Sequence, residues 1–249
     1  MVYIASCATI RWLRWCCENP VKTRLSVAAG VHGAPHAPLA GHPAPRVRRL
    51  GPSDFEATYA AMRHFTASRD AHTPDELWIL EHPPVYTTGA AGRSGHIPTR
   101  GDIPLIKVDR GGQITYHGPG QAVVYVLIDL RRRGLTVRAL VHLLERTAIA
   151  VLASYGVRGE TRPGAPGVYV NDAKIASLGL RVRNGASYHG VSLNVDVDLR
   201  PFLAIDPCGY PGMTVTRLAD FGVPASCSEV GERLAALFAE HLGSHGTNH

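Results

Sequence analysis

At 249 residues and 45% apolar content the chain is long enough for one sizeable domain with a real core, and its formal net charge is +6. That excess sits in residues 1–50, where seven Lys/Arg face the single acid Glu18, so the rest of the chain is balanced and nucleic-acid binding loses its compositional support. No apolar run approaches the roughly 18 residues of a membrane span, the opening MVYIASCATI lacks the flanks of a signal peptide, and five cysteines without a C-x-x-C spacing argue against structural zinc or a disulfide framework.

Residues 28–45, AAGVHGAPHAPLAGHPAP, hold too little bulky apolar surface to offset the entropy of ordering and read as a linker. Residues 1–45 are then a disordered or non-native extension, whose first 27 residues are either a basic appendage, with a targeting or docking role as the further alternative, or sequence upstream of the true start. A domain follows over 46–243, with a flexible tail at 244–249. Ser53 and Glu56 form a capping box ahead of Phe55, Tyr59, Met62 and Phe65 at helical spacing, which predicts a helix over about 53–68. Strand-like runs come next: LWIL (77–80), VYTTG (85–89), LIKV (105–108) and, after a glycine-rich turn, AVVYVLIDL (122–130). A second helix is predicted near 136–155, with Val137, Leu140, Val141, Leu144, Ala148 and Val151 on one face as core. Residues 167–199 read as three strands joined by Asn171-Asp172 and Asn184-Gly185, dipeptides suited to tight hairpins. Ser226 and Glu229 can cap a final helix with Val230, Leu234, Leu237, Phe238 and His241 on one side. Strands in the middle with helices around them predict an α+β domain on a largely antiparallel or mixed sheet.

Four segments place glycine, proline, histidine and single charges where a strand protein places core residues. RGGQITYHGPGQ (110–121) leaves backbone N–H groups unshielded, with Arg110, Tyr116, His117 and Gln121 as polar tips, and suits wrapping a ligand or forming a structural turn. It lacks the phosphate-loop pattern. In DAKIASLGL, Lys174 enters an apolar strand directly after a turn, where a solvated edge charge is the ordinary reading. In SYHGVSLNVDVDL, His189-Gly190 interrupts a strand and leaves backbone accessible, although a lone histidine there can equally be a satisfied core residue. DPCGYPG (206–212) sets Cys208 in a loop, outside any periodic apolar pattern, whereas Cys227 beside a helix cap reads as the inert thiol.

The order RGGQITYHGPGQ, GVYV-x3-KIASLGLRV, HGVSLNVDVDL, PCGYPGMTVTRL, with EHPPVYTTG upstream, resembles the octanoyltransferases of lipoic acid biosynthesis from about Leu77 to Leu218. The resemblance implies the biotin/lipoate protein ligase-like fold, a mixed sheet with helices packed against it. It also implies a cytoplasmic enzyme, expected as a monomer, that needs neither cofactor nor metal. The implied reaction moves an octanoyl group from octanoyl-acyl carrier protein to a lysine of lipoyl domains, those of 2-oxoacid dehydrogenase E2 subunits and of the glycine cleavage H protein.

By the same resemblance Cys208 is the nucleophile and Lys174 its partner. An ordinary thiol, with a pKa of about 8.5, is mostly protonated at neutral pH. An ammonium about 4 Å from the sulfur, at an effective dielectric near 20, favours the thiolate by up to about 4 kcal/mol. Lys174 can equally act as general acid and base. The resemblance further assigns Arg110, Gly111, Gly112, Gln113, Ile114, Thr115, Tyr116 and His117, with Gly190, Val191 and Ser192, to the acyl groove. Backbone N–H groups near Ser177, Leu178 and Gly179 are candidates for an oxyanion hole. Arg110, Arg131, Arg132, Arg133 and Arg181 offer a docking face for acidic partners, although a solvated turn explains the arginine run as well. The rival readings are an ATP-dependent lipoate ligase on the same fold and a carrier-protein binding module without turnover.

Overall fold

The computed structural model describes residues 42–90, 101–205 and 214–245, all within one unit spanning Pro38–His249. The predicted extension up to residue 41, the DPCGYPG loop with Cys208, and residues 246–249 lie outside the described residues. Nine strands and three α-helices are seen among the described residues: β1 Arg46–Pro52, α1 Phe55–Ala67, β2 Glu76–Glu81, β3 Val85–Thr88, β4 Leu105–Lys107, β5 Ile114–His117, β6 Gln121–Leu127, α2 Val137–Ser154, β7 Val168–Val170, β8 Ala173–Arg183, β9 Ala186–Asn194 and α3 Cys227–His245.

Six strands form one sheet in the order β1-β2-β6-β9-β8-β7, and three form a smaller one, β4-β3-β5. Among the described strand pairs, β1–β2 and β3–β4 alone run parallel. The period of two in a strand explains the layering. In β6 every residue is buried, yet Val124 and Val126 face a core shared with Leu140, Leu144 and Val151 of α2 and Val230, Leu234 and Phe238 of α3. Val123, Tyr125 and Leu127 face the other way, onto Met62, Tyr59 and Phe65 of α1. The continuous apolar run is therefore a strand covered on both faces, and β2 splits likewise into Leu77/Ile79 and Trp78/Leu80. The result is the α+β mixed sheet with packed helices that the sequence predicts.

Three local expectations change. The cap of α1 is Asp54, whose carboxylate accepts from Ala57 N at 2.9 Å, because Ser53 N donates to Glu81 O and keeps Ser53 in line with β2. Residues 46–52 form an arginine-rich edge strand with no alternating apolar signal, which is why the sequence did not mark it. Residues 110–121 are two glycine turns flanking a real strand, β5, whose Ile114 and Tyr116 enter a small core with Tyr86, Val197 and Phe202. The predicted hairpin turns have positive φ at Asn171, Asp172, Asn184 and Gly185, and Ser226 caps α3 by accepting from Glu229 N at 3.2 Å. Helix α3 runs to His245, two residues into the expected tail. Among the described residues, no helix is long and apolar enough to cross a membrane.

Candidate active site

The large sheet supplies the floor of a cavity of about 530 Å³, and the small sheet and the start of α2 supply its sides. β5 alternates so that Thr115 and His117 line it while Tyr116 turns into the small core, 5.6 Å from Tyr86 and 5.4 Å from Phe202 between ring centroids. The turn before β5 is tied down twice. Arg110 is buried, its Nη2 donating to Thr87 O at 2.9 Å and Thr87 Oγ1 at 2.8 Å, and Gly111 N donates to Leu180 O at 2.9 Å. Gly179 lets β8 pass this arginine, since a Cβ there would lie 2.8 Å from Arg110 Cδ.

Behind β5 a chain of hydrogen bonds has a polarity set at one end. Thr216 O can only accept, so Asn194 Nδ2 donates to it at 2.9 Å and Asn194 Oδ1 accepts from Gln121 Nε2 at 2.9 Å. Gln121 Oε1 then accepts from His117 Nδ1 at 2.7 Å, leaving a lone pair on His117 Nε2. Burial lowers the pKa of His117 to about 3 and that of His82 to about 4, and His82 bridges Ser53 O and the Tyr125 hydroxyl at 2.7 Å each. His189 is also pushed down by burial; its Nε2 lies 3.4 Å from Asp109, which also accepts from Tyr59 and Tyr188. The hydrogen bond from His189, followed by those of the two tyrosines, holds the Asp109 carboxyl far below its usual range. The three imidazoles are neutral at physiological pH, and the cavity wall is compatible with an apolar chain.

Lys174 lies at the cavity, only 4% exposed, with Nζ donating to Pro166 O at 3.0 Å and sitting 5.5 Å from the centre of the Tyr169 ring. A β-bulge follows it, because Tyr169 pairs with Lys174 and Val168 with Ala176, leaving Ile175 as the extra residue. Beyond the bulge Ser177 and Gly179 stand opposite Ser192 and Gly190 of β9, while the Leu180 carbonyl turns away to Gly111. By the alternation of an antiparallel ladder the Leu178 peptide points away from β9 as well. Of the residues Ser177, Leu178 and Gly179, Leu178 is the one whose N–H the ladder does not turn toward β9.

On its other edge Lys174 meets a distant part of the chain. Lys174 N donates to Thr214 O at 2.9 Å and Lys174 O accepts from Thr216 N at 3.0 Å, a parallel bridge through Val215. Cys208, which the family resemblance pairs with Lys174, lies outside the described residues. Arg110 to Thr115, His117, Ser177 to Gly179, and Gly190 to Ser192 all line the cavity with Lys174. Tyr116 alone among the expected lining residues does not. Phe55, Tyr125, Val137, Val141, Pro166 and His189 line it without having been placed there from sequence. Val137 and Val141 share the helical spacing of the core positions, so only their 46% and partial exposure distinguishes them.

The proposed basic docking face is corrected in part. Arg132 and Arg133, with Arg69, are bound to the buried Asp75 carboxylate, and Arg110 is spent on Thr87, so these charges hold the fold together. Cys227 is the free cysteine among the described residues, and burial, then the nearby Glu81 carboxylate, raise its thiol far above the usual range.

The family model described as the lipoyl protein ligase A/B catalytic domain matches residues 54–239. The chain is 62% identical over 201 residues to an octanoyltransferase of Aromatoleum aromaticum, covering 80% of this chain and 87% of that one. It is 58% identical over 198 residues to an octanoyltransferase of Dechloromonas aromatica, covering 80% and 97%. A crystal structure of lipoate-protein ligase A bound with ATP superposes with a TM-score of 0.68 over 80% of this chain and 85% of that one, at 18% identity, a likeness of fold alone.

Proposed function

The chain belongs to the octanoyltransferases of the lipoyl protein ligase A/B catalytic-domain family, and from that premise we propose that this acyltransferase works through an octanoyl thioester on Cys208. The Cys208 thiolate attacks the carbonyl carbon of octanoyl-acyl carrier protein; the new C–S bond forms, the old one breaks, and the carrier thiol leaves with a proton. The amine of a lipoyl-domain lysine then attacks the same carbon, the amide bond forms, and the Cys208 thiolate is released as the amine loses its proton. Exchange of one thioester for another is near thermoneutral and the amide is more stable, so the sequence runs without ATP.

One observation carries this reading: Thr214 to Thr216, the chain emerging from the Cys208 loop, is hydrogen-bonded in register to the Lys174 backbone. Six residues reach at most about 20 Å when extended, a span that allows Cys208 to approach an ammonium held at the cavity wall. That ammonium stabilises the thiolate and exchanges its proton with the leaving thiol and the incoming amine. Leu178 N–H supports the oxyanion of each tetrahedral intermediate. The neutral wall of His117, Tyr125, Val137, Val141 and Val191 receives the alkyl chain, at about 0.8 kcal/mol per buried methylene.

Denaturing mass spectrometry after incubation with octanoyl-acyl carrier protein tests the intermediate. An octanoyl adduct is expected on the wild-type chain and on Cys227→Ala, and is absent from Cys208→Ala. An adduct that survives in Cys208→Ala and disappears in Cys227→Ala overturns the assignment. Transfer that requires ATP and magnesium with free acid would instead point to ligase chemistry.

A further inference from the structure

The Lys174 ammonium is aimed by a peptide group, and that peptide is itself aimed by a buried acid. Pro166 and Gly167 share one planar unit, whose carbonyl accepts from Lys174 Nζ at 3.0 Å. Its N–H donates to Glu145 Oε1 at 3.2 Å. In a trans peptide the two groups point in opposite directions, so fixing one fixes the other. Glu145 lies in the middle of α2 and is 6% exposed, a position where a carboxylate carries a desolvation cost and is retained only with partners. Its second oxygen lies 3.3 Å from Nδ1 of the exposed His142. Gly167 makes the close approach feasible: its φ is +143°, and a Cβ there would lie 2.5 Å from Lys174 Cε. Carboxylate, peptide and ammonium thus form a short line in which each link polarises the next.

We propose that Glu145 is a positioning residue for octanoyl transfer, setting the direction of Lys174 Nζ through the Pro166–Gly167 peptide. The inference rests on the catalytic role given to Lys174 above. It assigns to α2, otherwise a packing helix, a part in aligning the ammonium toward the reacting sulfur. The charge of Glu145 is less important than the acceptor it presents, because the peptide N–H needs only an oxygen at that place.

Steady-state octanoyl transfer by full-length variants, with melting curves run in parallel, tests it. Glu145→Ala lowers kcat by about tenfold or more with KM within about twofold, the signature of a contact acting in the transition state. Glu145→Gln recovers most of that rate, since its amide oxygen replaces the carboxylate, and His142→Ala stays at the wild-type rate. In a Lys174→Ala background, removing Glu145 causes no further loss, because the two act as one unit. Should Glu145→Ala not fold, Glu145→Met, of similar length and without the acceptor, carries the same expectation. A folded Glu145→Ala at the wild-type kcat, a Glu145→Gln as slow as Glu145→Ala, or losses that multiply in the double variant overturns the inference. Lys174→Ala at full rate overturns instead the mechanism on which it rests.

Discussion

His117 carries a proton on Nδ1 because Thr216 O, three links away, can only accept. Burial lowers the pKa of His117 to about 3 and of His82 to about 4, with His189 moved in the same direction. These groups take up protons in the unfolded chain, from about pH 6.5 downward, well before they do so in the folded one. Below that pH the unfolded state binds more protons, so stability falls as the pH is lowered from 6.5 toward 4, by about 1.4 kcal/mol per pH unit for His117 and for His82 once each titrates fully in the unfolded chain. Urea midpoints measured across this range are expected to decline on acidification and to decline less steeply in His82→Gln. The raised thiol of Cys227 leads to a second expectation at this scale. Peptide-mapped alkylation of the native protein at neutral pH should leave Cys227 unmodified, and denaturation should expose it.

Among the elements, β6 and β2 hold the layers together by dividing alternate residues between two cores. Leu144 of α2 sits in the larger core, fully enclosed with Val124 and Leu234. Its replacement by Ala is expected to cost about 2–5 kcal/mol, read from chemical denaturation, since both the transfer term and a residual cavity count. Strand β9 imposes a different demand. Gly190 stands where a Cβ would collide with the Val124 carbonyl of β6, so Gly190→Ala must spread the β6–β9 ladder and should lower the melting temperature as well as activity. Gly190 was legible in the sequence as an exceptional residue beside His189, although β9 runs unbroken from Ala186 to Asn194 through the expected interruption. Its steric cause was not, because Val124 lies 66 positions away and meets it only in the folded sheet.

Across the whole molecule, the cavity exists because two sheets and one helix meet at Lys174. Val141, on the first turns of α2, contributes a wall that neither sheet supplies. Val141→Phe shortens the available length, so relative transfer of hexanoyl over octanoyl should rise, by about fourfold for each methylene denied burial. Competition between the two acyl carriers measures this directly.

The three helices, the strands other than β1 and β5, the two hairpin turns and the order of the site motifs could be read from the chain, because each depends on residues a few places apart: alternation of two, recurrence near four, Asn-Asp and Asn-Gly at left-handed positions. The direction of Tyr116 into the small core, the pairing of Arg132 and Arg133 with Asp75, and the link from Glu145 to Lys174 were settled by folding. Each depends on groups that are remote along the chain and adjacent in space, and a side chain's partner is a property of that proximity.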